Sequence, residues 1–165
     1  MPFLIVAPAA VTATPMGMDK SANQVIGPDT TTPRRLEGWV PRSGYGDTVV
    51  NGNHEMIIGS TGADVLRCRI QLAQAWQPQA TGALRVSLMQ NTVEIKAAEV
   101  VNGASSLTLA DTPVTVQPGD RIWVAVTNTT SGFWAINGTI QGGNTTYVTF
   151  DAAQPEGGTA HGLER

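Results

Sequence analysis

PVTVQPGDRIWVAVTN, residues 113–128, is the stretch whose reading decides the fold. Val114 to Val116 reads as the end of one strand, and Gln117-Pro118-Gly119-Asp120 puts Pro and Gly at the two central positions of a type II turn. Arg121 to Thr127 then reads as the next strand, so the two form either a hairpin or a corner. In the second strand Ile122, Val124 and Val126 make one apolar face while Trp123 and Ala125 make the other. Period-two alternation therefore leaves apolar groups on both sides of the sheet. Such a strand must be covered twice, once by the domain's own core and once by the N-terminal segment or another chain. Trp123 and Ala125 are accordingly candidate assembly residues.

Working outward, the rest of the chain has the same character. Its 165 residues fit one domain, and 18 Gly and 10 Pro among many Thr, Val and Asn favour strands and turns over helices. Leu66, Cys68, Ile70 and Leu72 alternate with Arg67, Arg69 and Gln71, a strand with one buried face. Leu84, Val86 and Leu88, then Val93, Ile95 and Ala97 across Asn91-Thr92, read as a hairpin. Asn51-Gly52 and Asn102-Gly103 are turn signals, and Phe133 to Ile136 and Thr146 to Phe150 read as late strands. Eight to ten short strands at this spacing predict an all-β fold, a jelly-roll-like β-sandwich with an extended N-terminal arm. The expected organisation is an arm over residues 1–37, a sandwich over 38–153 and a Gly-rich tail over 154–165.

The arm is assigned because Pro2, Pro8, Pro15, Pro28 and Pro33 interrupt any regular element. Its opening is similar in hydropathy to a secretory leader, but no Lys or Arg precedes the apolar run, so it is read as part of the arm. Phe3, Leu4, Ile5 and Val6 are too apolar to stay in water and are expected to dock on this domain or on a neighbour.

Few chemistries fit. A net charge of −3 with two Lys offers no basic field for nucleic acid. A single cysteine, Cys68, excludes an internal disulfide framework, and its place in an alternating strand makes it a buried hydrophobe. His54-Glu55 lacks the second His of a zinc-protease helix and reads as a polar turn. His161 lies in the Gly-rich tail, and Asp111 and Asp120 read as turn carboxylates rather than a glycosidase pair. No catalytic, metal or cofactor site is expected, and the chain is read as a soluble non-enzyme. Asn128, Asn137 and Asn144 each begin a glycosylation sequon, read as chance in an Asn- and Thr-rich chain. Trp39, Trp76, Trp123 and Trp134 are either core residues or an aromatic sugar-binding platform, the second being the alternative function for the chain.

Gly38 to Val50 (GWVPRSGYGDTVV) resembles the entry into β-sandwich domains of minor tail proteins of phages that infect actinobacteria. Val116 to Asn128 is similar to a late hairpin of such sandwiches and, more loosely, of jelly rolls of the tumour-necrosis-factor and complement-C1q type. The resemblance covers about residues 38–153. It implies a virion structural protein, a minor tail component or a capsid decoration, without catalytic residues. Its partners would be further copies of itself, a trimer by analogy, and other virion proteins, with a host-surface glycan as a further partner. Collagen-like repeats and coiled-coil heptads are lacking, which argues against a long fibre shaft.

Overall fold

The computed structural model describes residues 2–5, 11–79 and 81–152. Fourteen strands run through them: β1 (Met16–Lys20), β2 (Gln24–Ile26), β3 (Arg34–Arg35), β4 (Trp39–Pro41), β5 (Val49–Asn51), β6 (Glu55–Ile57), β7 (Gly62–Gln71), β8 (Leu84–Gln90), β9 (Val93–Glu99), β10 (Ser106–Thr108), β11 (Thr112–Val116), β12 (Arg121–Asn128), β13 (Gly138–Ile140) and β14 (Gly143–Asp151). One sheet has the order β10-β7-β14-β1-β4, with β11 beside β10 on the same edge of β7. The other has the order β5-β6-β12-β8-β9, with β3 beside β6 on the same edge of β12, and a β2–β13 ribbon completes the set. All pairings are antiparallel. The fold is an all-β jelly-roll-like sandwich, as the sequence predicts, and among the described residues no helix is long and apolar enough to cross a membrane.

The core forms where the alternating faces of the two sheets meet. Leu66, Cys68 and Ile70 of β7 join Met16, Met18, Val148 and Phe150 from one sheet; Leu84, Val86, Leu88, Ile122, Val124 and Val126 come from the other. Burial pushes the Cys68 thiol up to about 12, so it stays protonated and inert.

The opening stretch turns a corner. Gly119 has a φ of +92°, as the third position of a type II turn requires, and the Asp120 N–H donates to the Gln117 carbonyl at 3.1 Å. The flanking strands do not pair with each other: β11 pairs with β7 in one sheet and β12 with β8, β6 and β3 in the other. The turn thus carries the chain across the sandwich.

Two expectations are corrected. Residues 16–37 are not an extended arm: β1 lies between β14 and β4, with Met16 and Met18 buried, and β2 and β3 also join the body. Pro15 and Pro28 flank these strands rather than interrupt them, so the chain satisfies its backbone hydrogen bonds between prolines. The described residues before Met16 form no strand. Phe133 to Ile136 is not a strand either; Gly132–Trp134 is a single 3-10 turn. The 154–165 tail and His161 lie outside the described residues.

Candidate interaction surfaces

The two-faced strand β12 is covered mainly by its own chain. Ile122, Val124 and Val126 face the core, while Trp123, Ala125 and Thr127 face outward by alternation. Ala125 is 1% exposed, because it lies in register between Arg35 on β3 and Ser87 on β8, with Trp123 beside it. The Arg35 guanidinium sits 4.1 Å from the centre of the Trp123 ring, and the indole N–H donates to the Asn91 carbonyl at 2.8 Å. So the second cover that the sequence demands is supplied at Ala125 by the N-terminal segment, through β3. Trp123 stays half-buried and keeps a surface to offer.

Phe3, Leu4 and Ile5 are 94%, 88% and 91% exposed, so among the described residues nothing in their own domain covers them. Val6 lies outside the described residues. The segment following the tip is anchored: the Val11 carbonyl accepts from the Ala63 N–H at 3.2 Å, the Thr14 N–H donates to Ser60 Oγ at 2.8 Å, and Ala13 is buried.

Glu55 is the residue that sequence reasoning undervalued. It is 1% exposed, accepts from Asn51 Nδ2 at 2.8 Å, and pairs with Arg35 at 3.3 Å and Arg121 at 3.8 Å. Burial alone would raise its pKa, but the Asn51 hydrogen bond and the charges of Arg121, His54 and Arg35 outweigh it and hold the carboxyl below the usual range. Asn51-Gly52 signals the turn and nothing in the sequence ties Arg35 or Arg121 to it. The site is a structural charge hub that ties β3 and β12 to β6 within one sheet.

The remaining acidic groups do not converge. Asp120 accepts from the Gln117 N–H (2.9 Å), Asn91 (2.9 Å) and Gln90 (3.0 Å); burial opposes its ionisation, yet these bonds keep its pKa low. Asp111 is exposed and pairs with Arg67 at 3.1 Å. Asp64 is buried, and no hydrogen bond of ordinary geometry reaches either oxygen among the described residues. Burial first, then the Asp151 charge, raises its pKa, against weak help from the Ala13 backbone N–H. Among the described residues no three His, Cys, Asp or Glu side chains gather in a cluster able to hold a metal.

The aromatic residues divide. Trp39 and Trp76 are core, whereas Trp134 is 50% exposed and Phe133 is 90% exposed, their rings meeting edge to face at 4.9 Å. The loop beneath them is stapled by two residues that carried no signal beyond a sequon. Asn128 is fully buried and donates to the carbonyls of Ile136 (2.7 Å) and Ile26 (3.1 Å), while the Thr130 hydroxyl donates to Asn128 Oδ1 at 2.7 Å. Asn128 is thus closed to modification in the folded chain. Asn137 and Asn144 are exposed.

No protein-family model and no curated protein matches this sequence. Among solved structures, the chain is similar to Eiger TNF from S. frugiperda at 11% identity, with a TM-score of 0.55 over 90% of this chain and 98% of that one. GITRL from Bushbaby is 12% identical with a TM-score of 0.43, covering 82% of this chain and 91% of that one. GITRL from rabbit is 14% identical with a TM-score of 0.44, covering 82% and 98%. Of the resemblances read in the sequence, the likeness to Eiger TNF agrees with the looser, tumour-necrosis-factor-type one. At this identity the likeness to Eiger TNF is one of fold: the chain folds as a TNF-like jelly-roll β-sandwich.

Proposed function

We propose that this chain is a structural protein of a phage virion, a minor tail component or capsid decoration, which acts by docking to other proteins and performs no catalysis. The observation that carries the docking reading is the exposed tip Phe3-Leu4-Ile5, held outside a sandwich whose core is complete without it. Burying each such side chain is worth about 1.5–3 kcal/mol, so a tip of three supplies a sizeable share of a binding free energy. Anchorage of residues 11–14 on β7 and Ser60 holds the tip close to the body, which raises its effective concentration at a neighbouring groove. The virion setting rests on the resemblance of residues 38–50 and 116–128 to tail-protein sandwiches. The partners in this reading are further copies of the chain, with a trimer favoured by the jelly-roll resemblance, and other virion proteins.

Mass spectrometry of purified particles tests the setting, and deletion of residues 1–10 tests the mechanism. The full chain is expected in particles, and the shortened chain should fold normally yet be incorporated at a level lower by tenfold or more, about 1.4 kcal/mol of lost affinity. Absence of the full chain from particles defeats the virion setting. Normal incorporation of the shortened chain defeats the role of the tip.

A further inference from the structure

A cleft of about 670 Å³ opens between residues 72–77, which follow β7, and residues 136–139, which lead into β13. Its floor is closed by the bridge between Leu72 and Ile140 and by the Ala73 N–H, which donates to the Thr139 carbonyl at 3.0 Å. The volume lies in the range of small-ligand sites. Its polar side chains are Gln74, Gln77, Asn137 and Thr139, and no charged side chain lines it. Among the described residues none of these four side chains is engaged in a hydrogen bond, and Gln74, Gln77 and Asn137 are exposed. The cleft therefore holds amide and hydroxyl groups that both donate and accept, with no fixed charge.

That chemistry selects among ligands. An ionised ligand would enter without a counter-charge, and an apolar one would strip water from three amides without replacing its hydrogen bonds. A neutral polyhydroxylated molecule satisfies both kinds of group, since each hydroxyl donates and accepts as an amide does. Trp134 and Phe133, two and three residues before Ile136 of the cleft wall in sequence, are exposed. An exposed aromatic ring offers an apolar face on which the C–H groups of a sugar ring can stack. The ring pair is also held in advance: Gly132 takes a φ of +68°, the Ala135 N–H donates to the Gly132 carbonyl at 3.2 Å, and Asn128 and Thr130 clamp the loop at Ile136. Its ordering cost is met before any ligand arrives. We propose that this cleft binds a neutral saccharide, with the exposed Phe133–Trp134 pair that precedes its wall in sequence as the stacking platform.

Titration calorimetry of the full chain with neutral hexasaccharides of glucose, mannose, galactose and N-acetylglucosamine, beside a hexamer of galacturonic acid, tests it. At least one neutral sugar is expected to bind in the micromolar to millimolar range, and the acidic hexamer is not. Trp134→Ala should weaken that binding by about tenfold, and Gln77→Ala or Asn137→Ala by about three- to tenfold each. Trp123→Ala, in a different cleft, should leave it unchanged, and the Trp134→Ala, Gln77→Ala and Asn137→Ala variants should keep the melting temperature of the parent. No binding of any neutral hexasaccharide at 10 mM overturns the proposal, as does binding that Trp134→Ala and Asn137→Ala leave intact. Should Trp134→Ala instead lower the mass in solution without touching sugar binding, the ring pair is a protein contact and the saccharide site falls.

Discussion

Glu55 shows how one residue decides whether a local turn becomes part of a sandwich. Its carboxylate links β6, on which it stands, to β3 and β12 of the same sheet, answering Arg35 and Arg121 and accepting from Asn51. Both arginines reach partly into water, with side chains 41% and 59% exposed, so they can rehydrate if the carboxylate is lost. The cost of Glu55→Gln is therefore set by the charged hydrogen bonds rather than by stranded cations, about 2 kcal/mol at pH 7. The pH dependence follows from the direction of its shift. A carboxyl with a folded pKa below its ordinary 4.5 contributes stability that is present above 4.5 and lost as pH falls through the folded value. Urea melts should accordingly show the parent more stable than Glu55→Gln at pH 7, with the gap closing progressively below pH 4.5. A gap that persists unchanged at the acid end would mean that packing, not charge, holds the hub. Asp64, whose pKa is raised, gives the opposite slope in the parent, so the comparison is made between the two proteins at each pH.

At the scale of elements, β1 is the strand that carries most and announces least. Met16 and Met18 are buried between the sheets, and Lys20 is buried with its ammonium donating to the Glu37 carbonyl; burial lowers its pKa, partly opposed by Glu37. Large-to-small changes at buried Met cost about 2–5 kcal/mol, so losing both side chains with the strand's pairing removes an amount comparable to a typical domain stability of 5–15 kcal/mol. Deleting residues 1–10 should leave the far-ultraviolet circular dichroism unchanged, whereas deleting residues 1–21 should abolish the β-sheet signal. A folded product of the longer deletion would show that β14 and β4 can close without β1. The contrast explains what was legible. Strands β7, β8 and β12 were readable because long alternating Leu, Ile and Val leave no other period, and Gly119 fixed the corner. MGMDK was not, because it has five residues, one a glycine whose added Cβ would lie 3.0 Å from the Tyr45 ring, and its third inward position is a lysine. Proline spacing was read as a bar to sheet, yet prolines bound a strand as readily as they break one. The Glu55 hub and the Asn128–Thr130 staple were invisible for a different reason. Their partners lie 4 to 102 residues away, and hydrogen bonds across such distances leave no local pattern.

For the whole molecule, the division of exposed apolar surface sets how copies can meet. The outward face of the β7–β14–β1 sheet carries polar groups already committed to one another: Arg67 pairs with Asp111 and Asp151, the Tyr45 hydroxyl donates to Asp151, Arg42 pairs with Asp19, and the Arg42 guanidinium lies 4.4 Å from the Tyr147 ring centre. Exposed ion pairs of this kind add little to association and lose strength with salt. Ala125 is closed by Arg35 and Ser87, so the two-faced strand no longer demands a partner along its whole length. Among the described residues the most exposed large apolar side chains are then Phe3, Leu4, Ile5 and Phe133, with single valines such as Val93 and Val101 exposed elsewhere. Self-association, where it occurs, should therefore be driven by the tip and be hydrophobic in its response. Light scattering of the full chain at about 100 µM is expected to give a mass above that of the 17.3 kDa chain, persisting or rising in 0.5 M salt because burial of apolar surface is not screened. The triple change Phe3→Ser, Leu4→Ser, Ile5→Ser should return the mass to one chain without altering the melting temperature, since none of the three side chains touches the core. An oligomer that survives this change but dissociates in salt would assign assembly to the charged sheet face instead. A parent that remains a monomer would leave the tip for a different protein as its receiver.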